Sequence, residues 1–136
     1  FFQARFEQID AEYASLPQAV LHGDYSWRNL KRRGDEWVII DFERLVVDIP
    51  WRELAKLWLR EVKQLEERQA FLVGYRKILP LQEPSPLLDA CLSFQLAQGI
   101  YRYVLKVDDR EFRQMADQVI EDVQAWCLSQ GMGISN

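Results

Sequence analysis

The sequence predicts a mainly α-helical domain with one small β-hairpin element, and three observations lead there. Apolar residues recur in steps of three and four along most of the 136 residues. Between positions 19 and 41 that spacing lapses, and short apolar runs instead flank Arg33-Gly34-Asp35, a hairpin turn signal. The composition, 49% hydrophobic with 12% aromatic residues, suits a single compact body over residues 1–136 rather than a disordered chain.

Taken in order, Phe2, Phe6, Ile9, Tyr13 and Leu16 mark one face of a helix over about residues 2–16, stopped by Pro17. Ala19 to Leu21 is a short apolar stretch entering a turn at Gly23, and residues 29–31 and 36–41 are the arms of the hairpin. Pro50 suits a helical first turn, after which Leu54, Leu57, Trp58 and Val62 share a face. A further helix is expected from Glu66 to Leu79. The three prolines between Pro80 and Pro86 make a connector. Leu87 to Leu105 is apolar nearly all round, including Leu88, Cys91 and Leu92, and is expected at the centre of the core. Phe112, Met115, Ala116, Val119, Ile120, Val123, Trp126 and Cys127 define the last helix, with Asp108-Asp109 at its N-terminal cap and Gly131 and Gly133 at its end.

Charge and cysteine usage narrow the function classes. Seventeen Lys and Arg against 21 Asp and Glu give a formal charge of −4, which argues against nucleic acid as a partner. The short basic run Lys31-Arg32-Arg33 reads as a solvated hairpin tip. No apolar run reaches the roughly 18–20 residues that span a bilayer, and no export signal opens the chain, so no membrane partner and a cytoplasmic location are expected. Cys91 and Cys127 each fall on an apolar helical face and read as free thiols. The five tryptophans are expected mostly to face the core, Trp27 excepted. Because the chain opens on Phe1 inside a helical pattern, it is expected to be part of a longer polypeptide.

One stretch carries chemistry. Leu21-His22-Gly23-Asp24-Tyr25-Ser26-Trp27-Arg28-Asn29-Leu30, followed by Val38-Ile39-Ile40-Asp41-Phe42-Glu43, spaces a carboxylate, a carboxamide and a second carboxylate as phosphoryl transfer requires. Asp24 is the candidate catalytic base: ionised at neutral pH, it holds an acceptor hydroxyl in line and takes its proton late. Asn29 and Asp41 are the candidate metal ligands, since Mg²⁺ prefers hard oxygen donors and is completed by water and substrate phosphates. Gly23 permits a tight turn near a charged site, and His22 braces the loop by hydrogen bonds. The chance coincidence of such a pattern is well under about one chain in a thousand of this length, from average residue usage.

His22-Gly23-Asp24, Asn29 and Ile40-Asp41-Phe42-Glu43 resemble the catalytic loop and metal-binding strand end of the aminoglycoside phosphotransferase and choline kinase-like family of small-molecule kinases. The resemblance is specific over about residues 19–55. It implies a kinase-like fold, of which this chain would be the C-terminal lobe with the N-terminal lobe absent. It also implies ATP and Mg²⁺ as cofactors, a small-molecule hydroxyl as substrate, Asp24 as base, and Asn29 and Asp41 as metal ligands. The family's Asp-Leu-Ala element is replaced here by Glu53-Leu54-Ala55, so the loop is expected to be braced differently. No phosphate-covering glycine loop or strand lysine precedes the motif, so the residues that bind the nucleotide stay unknown.

As partners the resemblance implies the N-terminal lobe of the same parent chain. Without that lobe, apolar surface near Val20–Tyr25 and Val38–Phe42 is expected to be exposed and to favour self-association, and the isolated lobe is expected to be inactive. Two rivals stay open: a non-catalytic helical module that binds a ligand or partner, and a cationic substrate held by the acids between Asp108 and Glu121.

Overall fold

A computed structural model of the protein describes residues 1–131. Its elements are, in order, α1 (Phe6–Ser15), β1 (Ala19–Leu21), β2 (Leu30–Arg33), β3 (Glu36–Ile39), β4 (Val46–Asp48), α2 (Pro50–Arg60), α3 (Leu65–Arg76), α4 (Pro86–Val104) and α5 (Arg110–Gly131). The mainly helical reading and the hairpin are borne out, with boundaries within about two residues at most ends. β4 is an element that the spacing of the sequence did not disclose. The described residues divide into two compact units, one of residues 16–83 and one of residues 1–15 with 84–131.

In the unit of residues 16–83, two antiparallel pairs position the loops. β1 pairs with β4 in the register Ala19↔Asp48, Val20↔Val47 and Leu21↔Val46. β2 pairs with β3 in the register Leu30↔Ile39 to Arg33↔Glu36, around Gly34 at a positive φ of 61°. Lys31, Arg32 and Arg33 are exposed at that tip, with Arg32 near Asp35 and Arg33 near Glu36 at 3.6 and 3.7 Å. Asp48 then turns the chain into α2: its Oδ1 accepts from the Ile49 amide at 2.7 Å and its Oδ2 meets Arg52 Nε at 2.8 Å. Pro50 takes the first helical turn, where its missing N–H has no intrahelical partner to lose.

α2 buries the face that the spacing picked out. Leu54, Leu57 and Trp58, with Val62 just beyond, form a core against Tyr25, Trp51, Phe71, Leu72 and Leu81. Leu57 is 1% exposed. Full burial of such a side chain is worth about 1.5–3 kcal/mol, so this cluster anchors the loop that carries Tyr25. The expectation for the tryptophans needs one correction: Trp37 is exposed, because β3 belongs to a two-stranded pair whose outer face is uncovered. Val20, Ile39, Ile40, Phe42 and Val47 are exposed as well.

In the other unit, α4 buries Leu87, Leu88, Ala90, Cys91, Leu92, Ala97 and Ile100 and packs on α5 and α1. Ser85 caps α4 by accepting from the Leu88 amide at 3.3 Å, and is itself held by the Glu12 carboxylate through its amide and hydroxyl, both at 2.6 Å. Asp109 caps α5 through the Phe112 amide at 2.9 Å, as its position suggests. Cys91 is buried and Cys127 half-buried, both as free thiols. α5 runs to Gly131, and the stop expected at Gly133 lies outside the described residues.

Candidate active site

The loop between β1 and β2 is shaped first by register. Carried two residues past Leu21↔Val46, the β1–β4 ladder sets Gly23 opposite Arg44. Gly23 takes a φ of +83°, and a Cβ there would collide with the Arg44 carbonyl. Glycine is therefore required twice over, by conformation and by space. The β2–β3 ladder likewise continues past Leu30↔Ile39, since the Ile40 amide donates to the Asn29 carbonyl at 2.9 Å. That bond pairs Asn29 with Ile40, the residue directly before Asp41.

His22 joins the two loops. Its Nε2–H donates to the Ile40 carbonyl at 2.8 Å, while its Nδ1 accepts from the Asp24 amide at 3.2 Å. These partners assign the neutral tautomer with the proton on Nε2. The ring is buried and lies 4.8 Å from that of Phe42. The ring thus bonds to Ile40 on one loop and to Asp24 on the other.

A polar stripe of α2 beside its core face holds the same loop. Glu53 Oε1 accepts from the Gly23 amide at 2.7 Å, Lys56 Nζ donates to the Gly23 carbonyl at 3.2 Å, and Arg60 lies 3.7 Å from Asp24 Oδ1. Just past the helix, Glu61 Oε2 accepts from the Trp27 amide at 2.7 Å. Positions 53, 56 and 60 follow each other in steps of three and four, so one polar stripe serves the loop while Leu54, Leu57 and Trp58 serve the core. The Glu in place of Asp at position 53 is thus a direct brace. Lys56, Arg60 and Glu61 went unnoticed in the sequence, although that charged stripe directly after the metal-type strand was the signal.

Asp24 and Asn29 are brought together. Asn29 is buried, and its Nδ2 donates to the Asp24 carbonyl at 2.8 Å and to Asp24 Oδ2 at 3.4 Å. Arg28, four residues along, donates to the same Oδ2 at 2.5 Å. Burial alone would raise the Asp24 pKa. The Arg28 hydrogen bond and charge, the Arg60 charge and the Asn29 amide together outweigh it and hold the carboxyl below its ordinary 3.8. Asp24 in turn raises the Arg28 pKa, chiefly through that hydrogen bond, with the charges of Asp41 and Glu61 adding. Burial, then the charges of Glu53 and Glu61, raise the pKa of Tyr25 and keep its phenol protonated.

Asp41 directly follows Ile40, which is bonded to both His22 and Asn29, and its own backbone is unusual. It has a φ of 67°, the left-handed region that a non-glycine residue seldom enters and Asp enters more readily than most. Such a conformation costs about 1–3 kcal/mol and persists where the surroundings fix it, commonly at functional positions. Among the described residues no three His, Cys, Asp or Glu side chains converge on a metal-sized site. Asn29 and Asp41 suit instead a cation that takes few protein ligands. The Asn29 NH₂ is committed to Asp24, so its amide oxygen would be the donor left to a hard metal, to which Asp41 could add a carboxylate.

Residues 2–87, which contain this entire site, match the family described as the phosphotransferase enzyme family. No curated protein and no solved structure matches the chain. No helix among the described residues is long and apolar enough to cross a membrane.

Proposed function

The chain belongs to the phosphotransferase enzyme family, and on that premise we propose that it carries the catalytic loop of an ATP- and Mg²⁺-dependent kinase acting on a hydroxyl of a small molecule. One arrangement supports the reading: Asp24 bonded to Asn29 on one loop, with Ile40, the residue before Asp41, bonded to Asn29 through the backbone.

Asp24 has the base's task. Ionised throughout the neutral range, it orients the acceptor hydroxyl and receives its proton as the oxygen–phosphorus bond forms. Asn29, through its amide oxygen, and Asp41 are the residues that would hold Mg²⁺. When bound, the metal screens the charge of the nucleotide's β- and γ-phosphates. His22 fixes the distance between the two loops, and Glu53, Lys56 and Glu61 hold the Asp24 loop on α2. These braces set the reacting groups before substrate arrives, which is where positioned catalysis gains most of its rate.

The test is Asp24→Asn in the full-length protein. Turnover is expected to fall by about 100-fold or more, the usual scale for a lost general base, with fold and nucleotide affinity retained. Equal rates in the two proteins would remove Asp24 from the base role. Absence of Mg²⁺-dependent ATP binding by calorimetry would favour the rival reading, a binding module without chemistry.

A further inference from the structure

The roles given to Asp24, Asn29 and Asp41 leave a charged group among them without a task. Arg28 donates to Asp24 Oδ2 at 2.5 Å, and its side chain is 59% exposed at the mouth of the site. Arg28 precedes and Asp41 follows the bonded pair Asn29–Ile40, at the point where the β2–β3 pairing gives way to a 3-10 turn over Trp27–Asn29. Electrostatics agree, since the charges of both Asp24 and Asp41 act on the guanidinium. Arg28 is therefore bonded to the carboxylate that would hold the acceptor hydroxyl and lies within the influence of the one that would hold the metal.

In an in-line transfer the moving phosphoryl group stands between those two ends. Its charge is spread over three equatorial oxygens, and a fixed cation beside them stabilises the transition state without reorganising. A guanidinium offers five N–H donors in a planar fork, and the bond to Asp24 engages one nitrogen. Arg60, which approaches the other carboxylate oxygen of Asp24 from α2, remains a counter-charge for Asp24 when Arg28 turns to another partner.

Resting on the reading of Asp24 as base and Asp41 as metal ligand, we propose that Arg28 is a catalytic residue that donates to the equatorial oxygens of the phosphoryl group as it passes from a nucleoside triphosphate to the acceptor hydroxyl. The acceptor oxygen bonds to phosphorus, the bond from phosphorus to the β,γ-bridging oxygen breaks, and that electron pair leaves with the nucleoside diphosphate. The hydroxyl proton goes to Asp24. Arg28 makes and breaks no covalent bond, so its whole effect is on charge.

The experiment needs no knowledge of the acceptor. Calorimetry on the full-length protein measures the affinity of ADP with Mg²⁺, with and without aluminium fluoride, which mimics the phosphoryl group in flight. Aluminium fluoride is expected to tighten ADP binding by about tenfold or more in the wild type, as transition-state mimics do. Arg28→Met is expected to lose that gain while keeping ADP–Mg²⁺ affinity within about twofold, and Arg28→Lys to recover part of it. If Arg28→Met fails to fold, judged by circular dichroism, Arg28→Lys decides by a partial loss of the gain. No gain in the wild type, a full gain in both variants, or an equal loss of ADP–Mg²⁺ affinity in a folded variant would each overturn the proposal. The two assignments fail separately: Asp24→Asn with unchanged turnover sinks the base, whereas an Arg28 variant with the full gain sinks only the role of Arg28.

Discussion

The His22 ring donates to the Ile40 carbonyl across 18 residues of sequence, and so fixes the distance between the loop that bears Asp24 and the turn that bears Asp41. The separation of the proposed base from the proposed metal ligand thereby depends on a residue to which no chemical step is assigned.

His22→Ala should therefore damage rate and stability together. It leaves the Ile40 carbonyl and the Asp24 amide without their partner in a part-buried setting, at a cost of about 1–3 kcal/mol for each polar group left unpaired. Urea denaturation is expected to show that loss, and turnover of the folded fraction is expected to fall as well. A stability loss with full activity per folded molecule would show that the bond sets no catalytic distance.

Gly23→Ala attacks the same loop from the backbone. The added Cβ would meet the Arg44 carbonyl, and the φ of +83° is unfavourable to alanine in any case. The loop must shift or the bonds to Glu53 and Lys56 must stretch. A destabilisation above about 1 kcal/mol is expected, read as a lower thermal midpoint, because the native conformation is incompatible with the new side chain. Gly34→Ala is the control: it too sits at positive φ, but its Cβ meets nothing within 4 Å, so its penalty should be smaller.

Acid sensitivity follows from Asp24. Its carboxyl titrates below 3.8 in the folded protein, despite burial that acts the other way, because Arg28, Arg60 and Asn29 favour the charged form. A depressed carboxyl pKa contributes stability that is fully present above the unfolded value and is lost as pH falls below 3.8 through the folded one. Arg28→Met removes the largest lowering influence and leaves burial opposed by less. The Asp24 carboxyl carbon, followed by NMR, is then expected to titrate at higher pH than in the wild type. An unmoved titration would show that Arg28 does not hold Asp24 ionised.

Much of this site was legible before any fold was known. Asp24, Asn29 and Asp41 stand at spacings that local chemistry explains, and His22 and Gly23 lie within two residues of the base. Arg28 was legible in principle too, as an opposite charge four residues from Asp24. Glu53, Lys56, Arg60 and Glu61 lie 29 to 37 residues from Asp24, and nothing local says which way the helix they occupy will turn. β4 was missed because three residues, Val46–Asp48, carry no periodicity of their own and become a strand only by pairing with β1.

The sequence by itself determined the helical periods, the hairpin around Gly34 and the candidate reacting side chains, because each depends on neighbours within a few residues. Tertiary structure alone decided how those side chains meet. Strand register places Gly23 against Arg44 and Asn29 beside Ile40, and the orientation of α2 turns its charged stripe onto the loop. Register and helix orientation are set by which apolar faces bury together, a property of the whole packed unit that no short stretch contains.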